Sequence, residues 1–185
     1  MFTYYDKENA PEKSKALMDE SVAIFGMLPN MHRILAEAPA SYEAYNTTYS
    51  LFTKSCGFSP LEAQIVFMTA NYENRCHYCM AGHSWGMKAQ KMPQDIIDDL
   101  REGRPLSDPK LEALSRFARE LLDTRGHIGD DRLQAFLDAG YTKRHALEVL
   151  CGLSAKLISN FTNALAHTDI EGPLAQYAWT HPADR

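Results

Sequence analysis

The sequence ENRCHYCMAGH, residues 73–83, is the stretch around which the rest of the chain is organised. It places a carboxylate, two thiols and an imidazole within eleven residues. If the segment from Cys76 to Gln90 is helical, Cys76, Cys79 and His83 follow one another at intervals of one turn, because residues three or four apart share a helix face. Glu73 lies one turn before Cys76 and extends the same stripe.

This stripe contains the parts of a reactive thiol site. The thiolate is the nucleophilic form of cysteine, and three features here are expected to lower a cysteine pKa: a helix N-terminus, the imidazole of His83 and the second thiol of the pair. Glu73 is placed to orient or polarise a histidine, as the third group of a triad does. His83 most naturally activates Cys79, one turn away, whereas Cys76 is nearer the helix N-terminus. Spacing therefore leaves either cysteine as the nucleophile.

Two other interpretations fit the same residues. The pair Cys76 and Cys79 with His83 and His77 can be a zinc site, although structural zinc sites usually draw two ligands from each of two chain segments. The cysteines can also be inert, buried side chains. We interpret the remaining two cysteines, in the apolar surroundings of positions 56 and 151, as small buried or half-buried residues.

Composition sets the broad class of the protein. Of its 185 residues 45% are hydrophobic and 23% charged, as in a soluble globular protein. The 19 Lys and Arg residues against 24 Asp and Glu residues give a net charge of −5 with no basic block, so nucleic acid is not an expected partner. No window approaches the ~18 apolar residues of a membrane span, and residues 1–6 lack a signal-peptide pattern. We expect a cytoplasmic protein in which four cysteines do not form a disulfide framework.

Helix signals recur along the chain and strand signals do not. Ser59-Pro60-Leu61-Glu62 predicts a helix start with a capping box. The polar run after Asn71 predicts a break near Asn74, which leaves Cys76 close to a new helix N-terminus. Thr142 caps a long helix that runs from Lys143 to about Ala166. The prediction is an all-α single domain of about seven to nine helices.

Three side-chain stripes bear on the site. One aromatic stripe is typical of core or interface packing, and it can also line a pocket for an apolar substrate; it comprises Tyr42, Tyr45, Tyr49 and Phe52. The apolar face of the long helix is expected to carry Ala146, Val149, Leu150, Leu153, Leu157, Ile158, Phe161 and Leu165. A polar stripe on the same helix, for which we expect mutual hydrogen bonds, comprises Asn160, Asn163 and His167.

The pattern Glu73-x-x-Cys76-x-x-Cys79-x-x-x-His83 resembles the active-site signature of AhpD-like alkylhydroperoxidases, within the carboxymuconolactone decarboxylase family. The resemblance runs from about residue 59 to residue 174. Better-known members carry a glutamate twelve residues before the first cysteine, where this chain has Gln64, so Glu73 would have to supply the carboxylate. The resemblance implies an AhpD-like helical domain over residues 41–185, with residues 1–40 as a helical extension packed on it.

The resemblance also implies a function. It is that of a thiol peroxidase, with a peroxiredoxin-type activity in which a hydroperoxide, expected to be organic, oxidises the pair to a Cys76–Cys79 disulfide. An external dithiol, thioredoxin-like or on a lipoyl protein, resets the enzyme without a bound cofactor or metal. A homo-oligomer (dimer, trimer or hexamer) is expected. The alternatives are a zinc-binding or redox-sensing interaction protein, and a decarboxylase-like acid–base enzyme acting on a lactone or β-keto acid.

Overall fold

A computed structural model describes residues 2–185, and all regular elements in that range are helical. The nine α-helices are α1 (Glu12–Phe25), α2 (Asn30–Leu35), α3 (Pro39–Lys54), α4 (Pro60–Glu73), α5 (His77–Ala89), α6 (Gln94–Glu102), α7 (Pro109–Asp123), α8 (Asp130–Asp138) and α9 (Lys143–Ala166). Two short 3₁₀ helices, Gly172–Tyr177 and Pro182–Asp184, follow. The prediction of an all-α single domain is confirmed.

The central helix is α4, which begins where the sequence predicts. The hydroxyl of Ser59 accepts a hydrogen bond from the Glu62 amide at 3.3 Å, and the Glu62 carboxylate accepts one from the Ser59 amide at 2.9 Å. This capping box satisfies two amide donors that a helix start leaves free. Residues 63–71 are all buried, because α4 packs against α3, α5, α6, α7 and α9.

The predicted break between α4 and the cysteine helix is present. Helix α4 ends at Glu73, and Arg75 adopts a left-handed backbone with φ of 49°. Cys76 is then the N-cap of α5, with an extended backbone and a side chain that accepts a hydrogen bond from the Cys79 amide. The break therefore places both sulfurs at a helix N-terminus, where the free N–H groups favour negative charge.

The orientation of helix α9 differs from the prediction that its apolar face is buried. Val149 and Leu153 are buried, but several large apolar side chains of that face are exposed. Their exposed fractions are 45% for Leu150, 39% for Leu157, 58% for Phe161 and 70% for Leu165. The buried face instead carries Lys156, Asn160 and Asn163. The polar face turns inward because it meets α4 and the cysteines of α5, which supply partners for its donors.

The chain ends complete the surroundings of the cysteine helix. Helix α1 packs on α3, α2 packs on α9, and the Gly172–Tyr177 turn packs on α5. The Tyr78 hydroxyl donates a hydrogen bond to Glu171 at 2.7 Å, and the same carboxylate oxygen accepts one from the amide of Asn30 at 2.8 Å. These hydrogen bonds hold residues 168–177 against α5. Among residues 2–185, no helix is both long and apolar enough to cross a membrane.

Candidate functional site

Cys76 and Cys79 form a buried, reduced pair at the start of α5. The Cys79 amide donates a hydrogen bond to the Cys76 sulfur at 3.3 Å. From α9, the amide nitrogen of Asn163 lies 3.1 Å from the Cys79 sulfur and 3.8 Å from that of Cys76. The oxygen of the same Asn163 side chain is buried without a hydrogen-bond partner in residues 2–185. Its nitrogen is thus directed at the sulfurs at the cost of an unsatisfied oxygen.

The surroundings of the two thiols shift their pKa values in opposite directions. Burial by itself raises the pKa of Cys79, but the hydrogen bond from Cys76 and the charge of Lys156 outweigh it and lower that pKa to about 5. The pKa of Cys76 is raised, because its thiol donates a hydrogen bond to Cys79 and because it is buried. One proton shared in this way leaves Cys79 as thiolate and Cys76 as thiol. These surroundings therefore make Cys79 the more acidic thiol of the pair.

His83 is held between two partners on other helices. Its Nδ1 lies 2.8 Å from the side-chain oxygen of Gln64, and its Nε2 lies 2.9 Å from the ammonium nitrogen of Lys156. Because an ammonium group can only donate, Nε2 accepts and Nδ1 carries the proton that is donated to Gln64. Burial and the charge of Lys156 lower the pKa of His83 well below its usual value. His83 is therefore a neutral imidazole whose Nε2 lone pair is already engaged.

Glu73 has a different partner from the one expected. Its carboxylate accepts a hydrogen bond from the guanidinium of Arg119, which lies on α7. The oxygen that orients His83 belongs to Gln64, twelve residues before the first cysteine, and not to Glu73. The catalytic roles expected for Cys76, Cys79, His83 and Glu73 stay predictions.

Lys156 is the site residue that the sequence reasoning missed. It is 1% exposed and lies in the middle of α9. A signal was present in the sequence: Lys156 follows Leu153 by three residues and precedes Asn160 by four, so it shares their helix face. The predicted buried face of α9 consisted of apolar side chains only, so Lys156 was not expected in the core.

A cavity of about 280 Å³ opens onto Cys79. Cys79, His83, Gln64 and Lys156 all border it. Most of its remaining wall is apolar, and the aromatic members are Phe25, Tyr45, Tyr49, Tyr78 and Trp85. A cavity of about 150 Å³ can hold benzene, so this one has room for a substituted ring or an alkyl chain in contact with Cys79.

The other two cysteines do not border the cavity. Cys56 and Cys151 are half-buried free thiols, as the sequence indicated. Burial raises the pKa of each. Across residues 2–185, no three His, Cys, Asp or Glu side chains are grouped so as to hold a metal ion.

Comparison with known proteins finds similarity in structure. At the level of sequence, the chain matches no family profile and no curated protein. An uncharacterised peroxidase-related protein from Ralstonia eutropha JMP134, described as an alkylhydroperoxidase AhpD core, superposes with a TM-score of 0.81 at 17% identity. The match covers 94% of this chain and 93% of that one.

Two further structures are similar. A variant of the debrominase Bmp8, in complex with 2,3,4-tribromopyrrole, has a TM-score of 0.80 at 14% identity over 96% of this chain and 95% of its own. A peroxidase-related protein from Silicibacter sp. TM1040 has a TM-score of 0.72 at 16% identity over 95% of this chain and 91% of its own. The chain therefore has the all-α fold of the AhpD-like proteins.

Proposed function

We propose that this protein is a thiol-dependent peroxidase that reduces organic hydroperoxides through Cys79 and Cys76. The proposal rests on one observation: Cys79, whose pKa is lowered to about 5, borders a cavity that has room for a substrate. A thiolate at neutral pH can attack an O–O bond, and a neighbouring thiol can resolve the product. The likeness to two peroxidase-related proteins is in keeping with this chemistry.

The reaction follows from the two protonation states. The Cys79 thiolate attacks the terminal oxygen of the hydroperoxide, the O–O bond breaks, and the sulfur becomes a sulfenic acid while the alkoxide leaves as an alcohol after taking up a proton. The Cys76 thiol then condenses with the sulfenic acid to give the Cys76–Cys79 disulfide and water. An external dithiol, thioredoxin-like or lipoyl, returns both residues to thiols by exchange.

The experiment is turnover of an aralkyl hydroperoxide, such as cumene hydroperoxide, with dihydrolipoamide as reductant. We expect Cys79→Ser and Cys76→Ser each to abolish turnover. The matched control is the double variant Cys56→Ser with Cys151→Ser, in which two half-buried thiols of raised pKa are removed, and it should retain wild-type turnover. Full activity in Cys79→Ser would refute the mechanism.

A second copy of the chain is the expected partner of the exposed face of α9. That face, from Leu147 to Leu165, carries no charged side chain, and its large exposed members are Leu147, Leu150, Leu157, Phe161 and Leu165. An uncharged face is complementary to itself, so a two-fold related copy can cover it. Burying five such side chains on each copy contributes about 1–2 kcal/mol apiece, comparable with the association cost of about 4–15 kcal/mol.

The oligomer is tested by sedimentation of the wild type against the double variant Leu157→Glu with Phe161→Glu. We expect the wild type to be at least a dimer and the variant to be a monomer. The control is Val22→Glu, an exposed apolar residue on α1 that should leave the assembly intact. A wild type that sediments as a monomer would contradict the proposal.

Reductive dehalogenation is a second candidate, favoured by the aromatic wall of the cavity beside a thiolate. The debrominase Bmp8 has the same fold and was solved with a tribromopyrrole. In such a reaction the bromine atom is replaced by hydrogen while a dithiol becomes a disulfide and bromide leaves. Bromide release from 2,3,4-tribromopyrrole, measured beside hydroperoxide turnover, decides between the two.

A further inference from the structure

Lys156 is a buried cation whose charge lowers the pKa of Cys79 and which takes part in no step of the mechanism above. Its side chain lies inside the protein, and none of the ion pairs within residues 2–185 includes it. Taking an ammonium group out of water costs several kcal/mol unless a negative partner is present. The nitrogen donates one hydrogen bond, to His83, and lies 5.5 Å from the centre of the Phe67 ring. Because an ammonium group has three N–H donors, two are left for other partners.

The other titratable side chains that border the cavity with Lys156 and Cys79 are neutral near pH 7, and the nearby Glu171 carboxylate does not border it. From α2, burial lowers the pKa of His32 to about 3. From α5, His83 is also neutral because burial lowers its pKa. Burial raises the pKa of Tyr45 on α3 and of Tyr78 on α5, so both keep their protons. The Cys79 thiolate, which borders the same cavity, is thus the negative group that can balance Lys156.

We propose that Lys156 is a catalytic residue: its ammonium group is the counter-ion of the Cys79 thiolate and the proton donor to the oxygen that leaves the hydroperoxide. The proton-donor role rests on the proposed function. The ion pair between Lys156 and Cys79 does not, because it forms whatever electrophile enters the cavity. His83 and Gln64 then act as positioning residues, because their hydrogen-bonded chain fixes the ammonium group in the wall of the cavity.

The protons balance through a full cycle. As the sulfur of Cys79 gives two electrons to the O–O bond, Lys156 passes one proton to the departing alkoxide and becomes a neutral amine. Condensation of the sulfenic acid with Cys76 releases water and moves no further charge. When the external dithiol reduces the disulfide, the new Cys79 thiol returns its proton to the Lys156 amine. The net change is one hydroperoxide and one dithiol converted to one alcohol, one water and one disulfide.

The first experiment needs no hydroperoxide. The rate at which iodoacetamide alkylates Cys79 is measured against pH in the wild type, Lys156→Met and Lys156→Arg. Methionine fills the buried space without charge, and arginine keeps the charge. Loss of a nearby cation should move the midpoint of the Lys156→Met profile up by about 1–3 pH units, whereas Lys156→Arg should stay near the wild type. The control is Lys143→Met, an exposed lysine on the same helix.

The second experiment separates the two roles. Turnover of cumene hydroperoxide by Lys156→Met is measured above its new alkylation midpoint, where the thiolate is fully formed. Loss of the proton donor should still lower kcat/KM by about 100-fold or more. Cooperative thermal unfolding of the variants shows that each is folded.

The outcomes are distinct. Coincident alkylation profiles for wild type and Lys156→Met would overturn the ion pair. Wild-type turnover by Lys156→Met above its midpoint would overturn the proton donor. A wild type that alkylates as expected but turns over no hydroperoxide would refute the proposed function and the proton-donor role, while the shifted profile would still support the ion pair.

Discussion

The hydrogen bond between the two thiols can be tested by two substitutions at one position. Cys76→Ala removes the group that donates to the Cys79 thiolate, and Cys76→Ser replaces it with a hydroxyl that still donates. Both variants remove the resolving sulfur, so both leave one thiol in the pair. A difference between them therefore reports the hydrogen bonds made by the side chain at position 76 and not the loss of disulfide chemistry.

The size of the expected difference follows from the site. A hydrogen bond to a charged group contributes about 1.5–3 kcal/mol, and one pKa unit corresponds to about 1.4 kcal/mol. Removing it should raise the pKa of Cys79 by about 1–2 units from its value of about 5. At pH 6 the thiolate fraction should then fall from about nine tenths to between about one tenth and one half. The serine variant should stay close to the wild type.

The assay is the pH dependence of carbamidomethylation at Cys79, followed by peptide mass spectrometry so that Cys56 and Cys151 are counted separately. Cys76→Ala should also lose about 1 kcal/mol in the free energy of unfolding, because alanine cannot accept the hydrogen bond from the Cys79 amide at the start of α5. Denaturant unfolding measures that loss independently. Superimposable alkylation profiles for the alanine and serine variants would refute the reasoning.

Two further predictions concern positions next to the site and within the fold. Gln64→Glu places a carboxylate at the proton of His83 Nδ1 and should raise the pKa of His83 by about 1–3 units; an NMR titration of that ring measures the shift, and an unmoved titration would contradict the contact. Gly103 has a left-handed backbone with φ of +65°, and the Cβ atom of Gly103→Ala would clash with the ring of Tyr72. Gly26 has a similar φ of +73°, but the Cβ atom of Gly26→Ala would lie in open space. The first should therefore lose about 1–3 kcal/mol more in the free energy of unfolding than the second, as measured in denaturant, and equal losses would contradict the packing.

Much of the local structure could be predicted from the sequence because it depends on neighbouring residues. Ser59 and Glu62 form the predicted capping box, and the polar run before Cys76 breaks the helix where expected. Such features require only a few consecutive side chains and the free amides of one helix end.

The orientation of α9 and the partner of Glu73 could not be predicted in the same way. Each depends on residues far away in the chain: Lys156 faces inward because His83 and Cys79 lie opposite it, and Glu73 pairs with Arg119 of α7. An apolar stripe on a helix indicates a buried face only when no partner copy is available to cover it. Here Leu150, Leu157 and Leu165 are exposed, whereas the buried face includes Lys156, Asn160 and Asn163, so hydrophobic periodicity predicted the orientation of α9 wrongly.

The proposed function requires that Cys76 and Cys79 act as a redox pair. The most direct measurement is a count of free thiols in the metal-free protein before and after one equivalent of an organic hydroperoxide. We predict the loss of two thiols, their return on adding a dithiol, and no such loss in Cys79→Ser. Retention of all four thiols, or stoichiometric zinc that protects the pair in protein purified without added metal, would contradict the claim.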